Sequence, residues 1–597
     1  MKSGKLTALC LFAIVAVMVA TLLRFASPRV LFSFPFIEEV QQPVTGLADP
    51  PTIVALGNPF ELAEPDEGRP ASVILNIVPG LAVSNAAYAS LEYVLEAMRG
   101  RVIPVFYINS IDAAEEFVAF YLDSDIRDGI LMSSDPVILL GMREWVPHLP
   151  GALVVDAGEG AALDEWVWAA NIHKARILYI RNAAGLVSHE DVLYLQARLV
   201  SVWLEVKYDD ALEQLLSGPN GLVTPYVYQL YALYEAFDGE RPTLLRRPFN
   251  VAHRGSPSII PQNTLEGAIR AFEDGADVLE LDIMITYDNE LVIFHDNRLG
   301  ALTGCPLDRN VWDVTLEEIR ALTPNLHGDY AHSATWHPED FCCVQIPTMR
   351  EFMEEFWGKS EKLIFAEIKD FRDTARYTRI IQEMALLMDE FGMHGQFVFM
   401  SFNHEASKHN ALRQYVPHIP FVGLNSNATS AEDLLREHTP HNMAANRRID
   451  GGGTIFDREM IQALNHRGMP YGAWTYRTTE AVARDYTSGI TAITNSHAHL
   501  LSEIPVTFVQ CREYVEVDIG QRACITGTVM NRHGQASVVA VGRPAVISGR
   551  AYITDDAGGA AQGVALIVPR GEVRDFYLPG RPMVVHVSGN LFAGSEP

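Results

Sequence analysis

The sequence predicts an α/β protein made of a barrel-like α/β domain, a catalytic (β/α)8 TIM barrel and a small β-sandwich. Short apolar runs alternate with longer amphipathic runs, and this alternation starts afresh near residue 247, which predicts the first two domains. After residue 503 short β-branched runs separated by turn residues replace the alternation, which predicts the β-sandwich. A chain of 597 residues is also too long for one compact domain.

The first α/β domain is predicted over residues 30–246, where apolar runs such as ASVILNIV and RVIPVFYI precede helical stretches. Strands that alternate with helices pair in parallel, in an open or a closed sheet. Counting IVALG as a strand gives about eight strands, which favours a barrel, although seven strands or an open sheet also fit the pattern. This part of the sequence has no His-Arg-Gly run, no Glu-x-Asp pattern at a strand end and no Glu-Ile-Lys run, so we predict that it is noncatalytic.

The second βα series is predicted over residues 247–503 and begins at the run FNVAH. Its length of about 255 residues is typical of a TIM barrel. Its further strand candidates are the runs DVLELDIMI, LIFAEIK, QFVFMSF, FVGLN, GGTIF, YGAWTY and ITAIT. Residues 504–597 contain runs such as VTFVQC and ACITGTV between Gly, Pro and Asp turns, which predict the β-sandwich accessory domain.

Residues 1–29 predict a signal anchor or transmembrane helix. An uninterrupted apolar run extends from Leu6 to Leu23, after Lys2 and Lys5. A run of about 18 residues is near the lower limit for crossing a bilayer. A cleaved secretory signal is the alternative. In both cases we expect an extracytoplasmic catalytic domain, either anchored to the membrane by this helix or secreted.

The net charge bears on nucleic-acid binding, and the cysteine count bears on disulfide bonds. A formal net charge of −28 argues against nucleic-acid binding, because a phosphate backbone is held mainly by clustered Lys and Arg. Six cysteines are too few for a disulfide framework. Individual disulfide bonds are candidates, either between Cys511 and Cys524 or between Cys305 and one of Cys342 and Cys343. Free thiols are the alternative. The sequence does not indicate a protein partner.

Polar residues recur where the predicted strands of the second domain end, which is where TIM barrels carry their catalytic groups. These candidates are His253 and Arg254, Glu280 and Asp282, His295, Glu367 and Lys369, and Trp474. A single histidine at a strand end would mean little among 19 histidines, but two beside a carboxylate cluster indicate a site.

The carboxylates predict a divalent metal. Glu280 and Asp282 are two residues apart on one strand, so their side chains point to the same face. Two carboxylates this close repel each other unless a hard cation such as Mg²⁺ or Ca²⁺ keeps both ionised. Glu367 supplies a third oxygen ligand. The alternative is a structural ion pair with Lys369 or Arg254.

A predicted hairpin connects His295 to these carboxylates. The segments ELDIMIT and ELVIF flank Asp288 and Asn289, which are typical residues of a two-residue turn. If these two residues form the turn, Tyr287 faces Glu290 and Asp282 lies opposite His295.

The two histidines predict acid–base chemistry on an anionic group. One neutral imidazole accepts a proton while its protonated partner donates one to a leaving alkoxide. Arg254 and Lys369 are candidates to hold phosphate oxygens, the first as a fork and the second as a point charge. Trp474 is the candidate for the wall of the substrate pocket.

These segments together resemble the glycerophosphodiester phosphodiesterases, over about residues 250–503. The matching segments are HRG at 253–255, PQNT at 261–264, ELD at 280–282, HD at 295–296, IPT at 346–348, EIK at 367–369, SFN at 401–403 and AWT at 473–475. The resemblance implies a (β/α)8 barrel with His253 and His295 as the acid/base pair. It also implies that Glu280, Asp282 and Glu367 bind a divalent metal and that Arg254 and Lys369 contact the phosphate.

Two positions depart from the family pattern. Gln262 stands where the family usually has Glu, and Asn495 stands where an Asp is expected after the last strand. Asn263 and Glu266 still form a candidate capping pair for the next helix.

The predicted function is metal-dependent hydrolysis of a glycerophosphodiester to glycerol phosphate and an alcohol. The substrate is then a small-molecule or lipid-derived phosphodiester. One alternative is a phospholipase-type phosphodiesterase acting on intact lipid headgroups. Another is a surface binding protein whose barrel has lost activity, although the candidate acid, base and metal ligands are all present.

Overall fold

The computed structural model describes residues 32–41, 43, 45–62, 69–299, 309–322, 344–369, 373–402, 406–425, 428–449, 458–518, 526–540, 545–548 and 563–588. The predicted N-terminal anchor lies outside these residues, as do Cys305, Cys342, Cys343 and Cys524 of the candidate disulfides. Within the described ranges, every helix is too short or too polar to cross a membrane.

The described residues among the first 246 form twelve strands, of which eight are parallel and close into a barrel. The strands are β1 (Phe32–Phe34), β2 (Thr52–Ala55), β3 (Ser72–Val78), β4 (Ala82–Val83), β5 (Ala89–Ser90), β6 (Ile103–Ile108), β7 (Ser124–Ile126), β8 (Ile130–Ser133), β9 (Gly151–Asp156), β10 (Ala175–Arg181), β11 (Ser201–Glu205) and β12 (Gly221–Thr224). The barrel order is β2-β12-β11-β10-β9-β8-β6-β3, and pairing of β2 with β3 closes it. The alternative of an open or seven-stranded sheet is therefore wrong for this domain.

Helices follow most of these strands and cover the barrel. They are α1 (Pro59–Leu62), α2 (Leu91–Met98), α3 (Ile111–Leu122), α4 (Pro136–Trp145), α5 (Leu163–Ile172), α6 (His189–Ala197), α7 (Ala211–Leu216) and α8 (Val227–Glu235). Several begin at a side chain that accepts hydrogen bonds from the first turn, as Ser90, Ser110 and Asp135 do.

A second closed barrel of eight parallel strands follows. The strands are β13 (Phe249–His253), β14 (Val278–Ile285), β15 (Leu291–Ile293), β16 (Leu363–Ile368), β17 (Phe397–Phe402), β18 (Phe421–Asn425), β19 (Ala444–Arg448), β20 (Tyr471–Tyr476) and β21 (Ala492–Asn495). The barrel order is β13-β21-β20-β19-β18-β17-β16-β14, β13 pairs with β14, and β15 is an antiparallel addition to β14. The fold-class prediction of a TIM barrel preceded by a barrel-like domain is confirmed.

The helices of the second barrel and the burial of its strands follow from the apolar pattern. The helices are α9 (Leu265–Glu273), α10 (Leu316–Arg320), α11 (Met349–Phe356), α12 (Thr374–Phe391), α13 (Ala406–Tyr415), α14 (Ala431–His438), α15 (Arg458–Asn465), α16 (Thr479–Asp485) and α17 (Ala498–Ser502). All eight residues of β14 are buried, because one face of a barrel strand meets the helices and the other meets the lumen.

The C-terminal region forms small sheets. Its strands are β22 (Thr507–Gln510), β23 (Tyr514–Asp518), β24 (Thr526–Met530), β25 (Ala536–Ala540), β26 (Ala545–Ser548), β27 (Gly563–Val568), β28 (Arg570–Val573), β29 (Phe576–Pro579) and β30 (Met583–Ser588). They form sheets of three, four and two strands. The buried Arg570 guanidinium donates to the backbone oxygens of Phe237 and Asp238, which joins these sheets to the segment between the barrels.

The two barrels pack against each other by the amino ends of their strands. Arg143 donates to the Thr439 carbonyl oxygen at 2.6 Å, and Arg413 donates to the Asn171 carbonyl oxygen at 2.9 Å. Arg198 donates to the Gly395 carbonyl oxygen at 2.9 Å. Thr439 and Gly395 precede β19 and β17, and Asn171 precedes β10, so the carboxyl ends of the two strand sets face away from each other.

A buried ion pair lies in this contact. Arg467 Nε donates to Asp128 Oδ1 at 2.8 Å, and both side chains are 1% exposed. Asp128 also accepts a hydrogen bond from the Ile37 backbone, so the pair is held by three segments. Gly468 has a φ of +66°, and a Cβ there would clash with Ile177 of the first barrel.

Candidate active site

Neighbouring strands of the second barrel bring the predicted residues to one end. In the β13–β14 pairing His253 lies opposite Glu280, and in the β14–β16 pairing Asp282 lies opposite Glu367. The central strand β14 therefore supplies two carboxylates, with a histidine on one side and a carboxylate on the other.

A cavity of about 380 Å³ opens at this end of the barrel. Its lining residues are His253, Arg254, Glu280, His295, Asp296, Asn297, Glu367, Lys369, Met400, Phe402, Leu424, Asn446, Trp474 and Thr494. The structure thus brings together all eight predicted site residues, with Asp282 directly beneath as the buried partner of Arg254 and Lys369.

Three carboxylates form a cluster that could hold a metal ion. Oxygen atoms of Glu280, Asp282 and Glu367 lie within 4.8 Å of one another, and all three residues are buried. Burial, together with the charges of Asp282 and Glu367, raises the pKa of Glu280 well above its usual value. A hard divalent cation would relieve this repulsion and accepts carboxylate oxygens, so the donor set fits Mg²⁺ or Ca²⁺.

Asp282 is held in its ionised form by a different set of contacts. Burial alone would raise its pKa, but Lys369 Nζ at 3.1 Å and Arg254 Nε at 3.1 Å outweigh burial and lower it. Asn263 Nδ2 also donates to Asp282 Oδ2 at 2.8 Å. The two cations therefore keep Asp282 ionised, whereas the pKa of Glu280 is raised.

Arg254 and Lys369 are fixed against the cluster and also line the cavity. The Arg254 backbone nitrogen donates to Glu280 Oε2 at 2.9 Å, and its Nη1 donates to Gln262 Oε1 at 2.7 Å. Lys369 Nζ donates to Glu367 Oε1 at 2.7 Å. Gln262, the first departure from the family pattern, thus holds the guanidinium as a neutral acceptor.

The two histidines have different surroundings. His253 is buried, and its Nε2 lies 3.9 Å from Glu280 Oε2. Burial and then the Arg254 charge lower its pKa well below the usual value. His295 is more exposed, and its Nδ1 lies 2.5 Å from Asp296 Oδ1, a contact that lowers the pKa of Asp296.

The hairpin that carries His295 has a register one residue away from the prediction. Ile285 pairs with Leu291, and the Phe294 backbone donates to the Asp282 carbonyl at 3.0 Å, so Asp282 lies opposite Phe294 and not His295. The predicted two-residue turn is wrong, because the loop has three residues and ends at Asn289 with a φ of +64°. His295 then extends past the strand and still reaches the cavity.

The predicted capping pair is also wrong. Thr264 begins α9, because its hydroxyl accepts the Gly267 backbone nitrogen at 3.1 Å. Asn263 is instead turned toward Asp282, with a φ of +57°. The only hint in the sequence was the residue type, because Asn tolerates the left-handed backbone conformation better than most residues.

Asn495, the second departure from the family pattern, has a structural contact that an Asp would lose. Its buried Nδ2 donates to Asn250 Oδ1 at 2.9 Å, and its Oδ1 accepts the His497 backbone nitrogen at 2.9 Å. A carboxylate has no N–H to donate.

Sequence reasoning found Trp474 in the uncharged half of the cavity but did not assign the other residues of that half to the site. Met400, Phe402, Leu424, Asn446 and Thr494 come from strands β17, β18, β19 and β21, and no charged motif marks them. Side chains alternate between the two faces of a strand, so the sequence divides each strand into two sets of residues. Which set points into the barrel is decided only when the sheet closes.

The first barrel has uncharged residues at the matching positions. Asn76 pairs with Tyr107 between β3 and β6, as Asp282 pairs with Glu367 between β14 and β16. Ile74 stands two residues before Asn76, as Glu280 stands before Asp282. Within the described residues, the only group of three or more potential metal ligands is the cluster in the second barrel.

Comparison with known proteins finds relatives of the second barrel. Residues 253–499 match the Glycerophosphoryl diester phosphodiesterase family. A glycerophosphodiester phosphodiesterase of Caldanaerobacter subterraneus subsp. tengcongensis is 27% identical over 246 residues, which cover 41% of this chain and 91% of the relative. Another from Bacillus altitudinis is 26% identical over 242 residues, which cover 40% of this chain and 91% of the relative.

Among solved structures, a putative glycerophosphoryl diester phosphodiesterase from Silicibacter pomeroyi aligns with a TM-score of 0.37 and 19% identity, over 42% of this chain and 89% of its own. The sequence matches and the site define this protein as a phosphoric diester hydrolase. The domain that contains residues 253–499 therefore belongs to the glycerophosphoryl diester phosphodiesterase family.

Proposed function

We propose that this protein hydrolyses glycerophosphodiesters to glycerol phosphate and an alcohol, with a divalent metal and two histidines. One observation carries the proposal: His253, His295, Arg254 and Lys369 line the same cavity, and the carboxylate cluster lies beside them. The family match over residues 253–499 supports the same reaction.

Glu280, Asp282 and Glu367 would hold the metal through their carboxylate oxygens. When bound, a divalent cation supplies charge stabilisation to phosphoryl oxygens and lowers the pKa of a ligated hydroxyl or water. Arg254 and Lys369 bind the non-bridging phosphate oxygens, because both cations line the cavity and are already oriented by the cluster. Charge that develops on the phosphate is thereby stabilised without rearrangement of the protein.

The histidines divide the proton transfers between them. Asp296 Oδ1 lies 2.5 Å from His295 Nδ1 and orients the imidazole at the cavity, so we assign to His295 the donation of a proton to the leaving alkoxide. His253 is buried beside Arg254, which disfavours a second positive charge, so neutral His253 accepts the proton of the attacking hydroxyl. The nucleophile is water or a neighbouring hydroxyl of the substrate.

The test is a turnover assay with the full chain and a panel of glycerophosphodiesters, with and without a chelator. We expect release of glycerol phosphate that chelation abolishes and that Mg²⁺ or Ca²⁺ restores. His253→Ala and His295→Ala should each lower kcat by at least about a hundred-fold, the usual contribution of a positioned acid or base. The exposed His533 provides a matched control, and His533→Ala should leave kcat unchanged.

Two outcomes would contradict this proposal. Activity that survives complete removal of divalent metal would exclude the assigned role of the carboxylate cluster. Near-normal turnover by His295→Ala would exclude its role as the acid. Intact lipids included in the panel distinguish the phospholipase alternative, because that activity would release a headgroup from a lipid and leave glycerophosphocholine intact.

A further inference from the structure

The cavity has two chemically different halves. The half formed by β13, β14 and β16 carries the histidines, both cations and the carboxylates. The other half is a wall of Met400, Phe402, Leu424 and Trp474, in which the Phe402 and Trp474 rings meet edge to face at 6.0 Å. On the proposed function the phosphate occupies the charged half, so an organic part of the diester contacts this wall.

Buried polar atoms at the inner end of the wall suit one arm of the diester. Asn446 Oδ1 and Thr494 Oγ1 are both buried and have no hydrogen-bond partner among the described residues. Both residues line the cavity. Buried polar atoms without partners are costly, and hydroxyl groups of a substrate would satisfy them. The glycerol arm, which carries two hydroxyls in every glycerophosphodiester, fits this place.

A cation lies at the outer end of the same wall. Arg448 stands two residues after Asn446 on β19, on the same face of the strand, and pairs in register with Trp474. Its side chain is exposed, and its guanidinium carbon lies 5.9 Å from the centre of the Trp474 ring. The Trp474 ring therefore already has a cation beside it.

We propose that Arg448 and Trp474 select the alcohol arm of the substrate and disfavour alcohols that carry a positive charge. An arm that leaves the phosphate and passes outward along the wall approaches the Arg448 guanidinium. A choline or ethanolamine group is repelled by that charge. It would also have to share the Trp474 ring with the Arg448 guanidinium, which already lies 5.9 Å from the ring centre. An uncharged polyol such as glycerol meets neither penalty and can accept hydrogen bonds from the guanidinium.

This inference rests on the proposed function and is tested by a ratio of two substrates. The measured quantity is kcat/KM for glycerophosphoglycerol divided by kcat/KM for glycerophosphocholine, with the metal present. The wild-type protein should prefer glycerophosphoglycerol. Arg448→Gln should lower the ratio by about two-fold and Arg448→Glu by about five-fold, as expected for one and two units of charge at an exposed position. The change should fall mainly on KM and should diminish at high salt.

The neighbouring Arg447 provides the matched control. It lies one residue earlier on β19, so its side chain points to the opposite face of the strand, toward the helix layer. Arg447→Gln removes the same charge but should leave the ratio unchanged, and thermal unfolding checks that each variant is folded. A ratio that Arg448→Glu does not change, or a wild-type preference for glycerophosphocholine, would overturn the inference. Failure to hydrolyse either substrate would instead overturn the proposed function.

Discussion

Two carboxylates on one strand have opposite electrostatic environments at the site. Asp282 is in contact with Lys369 and Arg254 and accepts the Asn263 amide, so its pKa is lowered despite burial. Glu280 receives the Arg254 backbone nitrogen but faces the charges of Asp282 and Glu367, so burial and repulsion raise its pKa. Of the two, Glu280 gains more from a bound cation.

Replacing Glu280 with Gln separates the electrostatic cost of its buried carboxylate from its role in binding a metal. In the metal-free protein Glu280→Gln should raise the free energy of unfolding, because the buried carboxylate that faces Asp282 and Glu367 is replaced by a neutral amide. Saturating Mg²⁺ or Ca²⁺ should stabilise the wild-type protein by about 3 kcal/mol at a hundred-fold excess over Kd. The variant should lose most of that metal-induced gain. Thermal unfolding with chelator and with each metal measures both effects.

Glu273→Gln is the control for this experiment, since Glu273 lies at the exposed end of α9 and should change neither quantity. Equal stabilisation of wild type and Glu280→Gln by metal would show that Glu280 is not a ligand.

At the scale of the element, a three-residue loop sets where His295 lies. Thr286 accepts the Glu290 backbone nitrogen through its hydroxyl and donates to Asp288, and Asn289 closes the loop in the left-handed region. A two-residue turn would shift β15 by one position relative to β14. That shift would turn every side chain of β15 to the opposite face.

The backbone at Asn289 gives a direct test of this loop. Asn289→Ala should weaken the hairpin by about 1 kcal/mol, because a Cβ without a compensating polar group is strained at positive φ. Asn289→Gly should be neutral or slightly stabilising there. Hydrogen exchange at the Phe294 amide, which donates to the Asp282 carbonyl oxygen across the hairpin, reports the change locally. Equal exchange in the Ala and Gly variants would contradict the assigned loop geometry.

At the scale of the whole molecule, the two barrels meet through buried polar groups. The Thr52 hydroxyl of the first barrel lies 3.0 Å from His466 Nδ1 of the second. Burial and the neighbouring Arg467 lower the pKa of His466 to about 3. His466 is therefore neutral in the folded protein at pH values where it is protonated in the unfolded chain.

This difference makes the contact between the barrels sensitive to acid. A histidine with a lowered pKa contributes stability that is fully present above about pH 6.5 and is lost as the pH falls toward its folded value. Between pH 7 and pH 5 the loss at His466 should be about 2 kcal/mol. Urea unfolding of wild type and His466→Gln at both pH values measures it, and the variant should lose that part of the pH dependence.

Carboxylates and other histidines also titrate in this interval, so the difference between the two proteins is the measured quantity. His533→Gln, at an exposed position, should retain the full wild-type dependence. A wild-type-like pH dependence in His466→Gln would show that this histidine is not buried at the contact.

The strand-end motifs were predictable because they depend on local sequence. His253, Glu280, Glu367 and Lys369 each follow an apolar run, and parallel strands in a barrel end on one side, so their convergence could be predicted. The hairpin register could not, because Asp288 and Asn289 suit turns of two and three residues. The role of Asn263 could not be predicted either, because its contact with Asp282 joins residues 19 positions apart, and local sequence favours a helix cap.

The two barrel-like domains, the strand-rich region after them and the eight candidate residues could be predicted from the amino-acid order, because hydrophobic periodicity and strand-end polarity are local properties of the chain. Only the tertiary structure decided which side chains share the cavity wall, that Arg448 lies beside Trp474, and that the barrels pack by their amino ends. These features depend on closure of each sheet and on contacts such as Arg143 with Thr439, which are 296 residues apart. Local periodicity contains no information about such pairs.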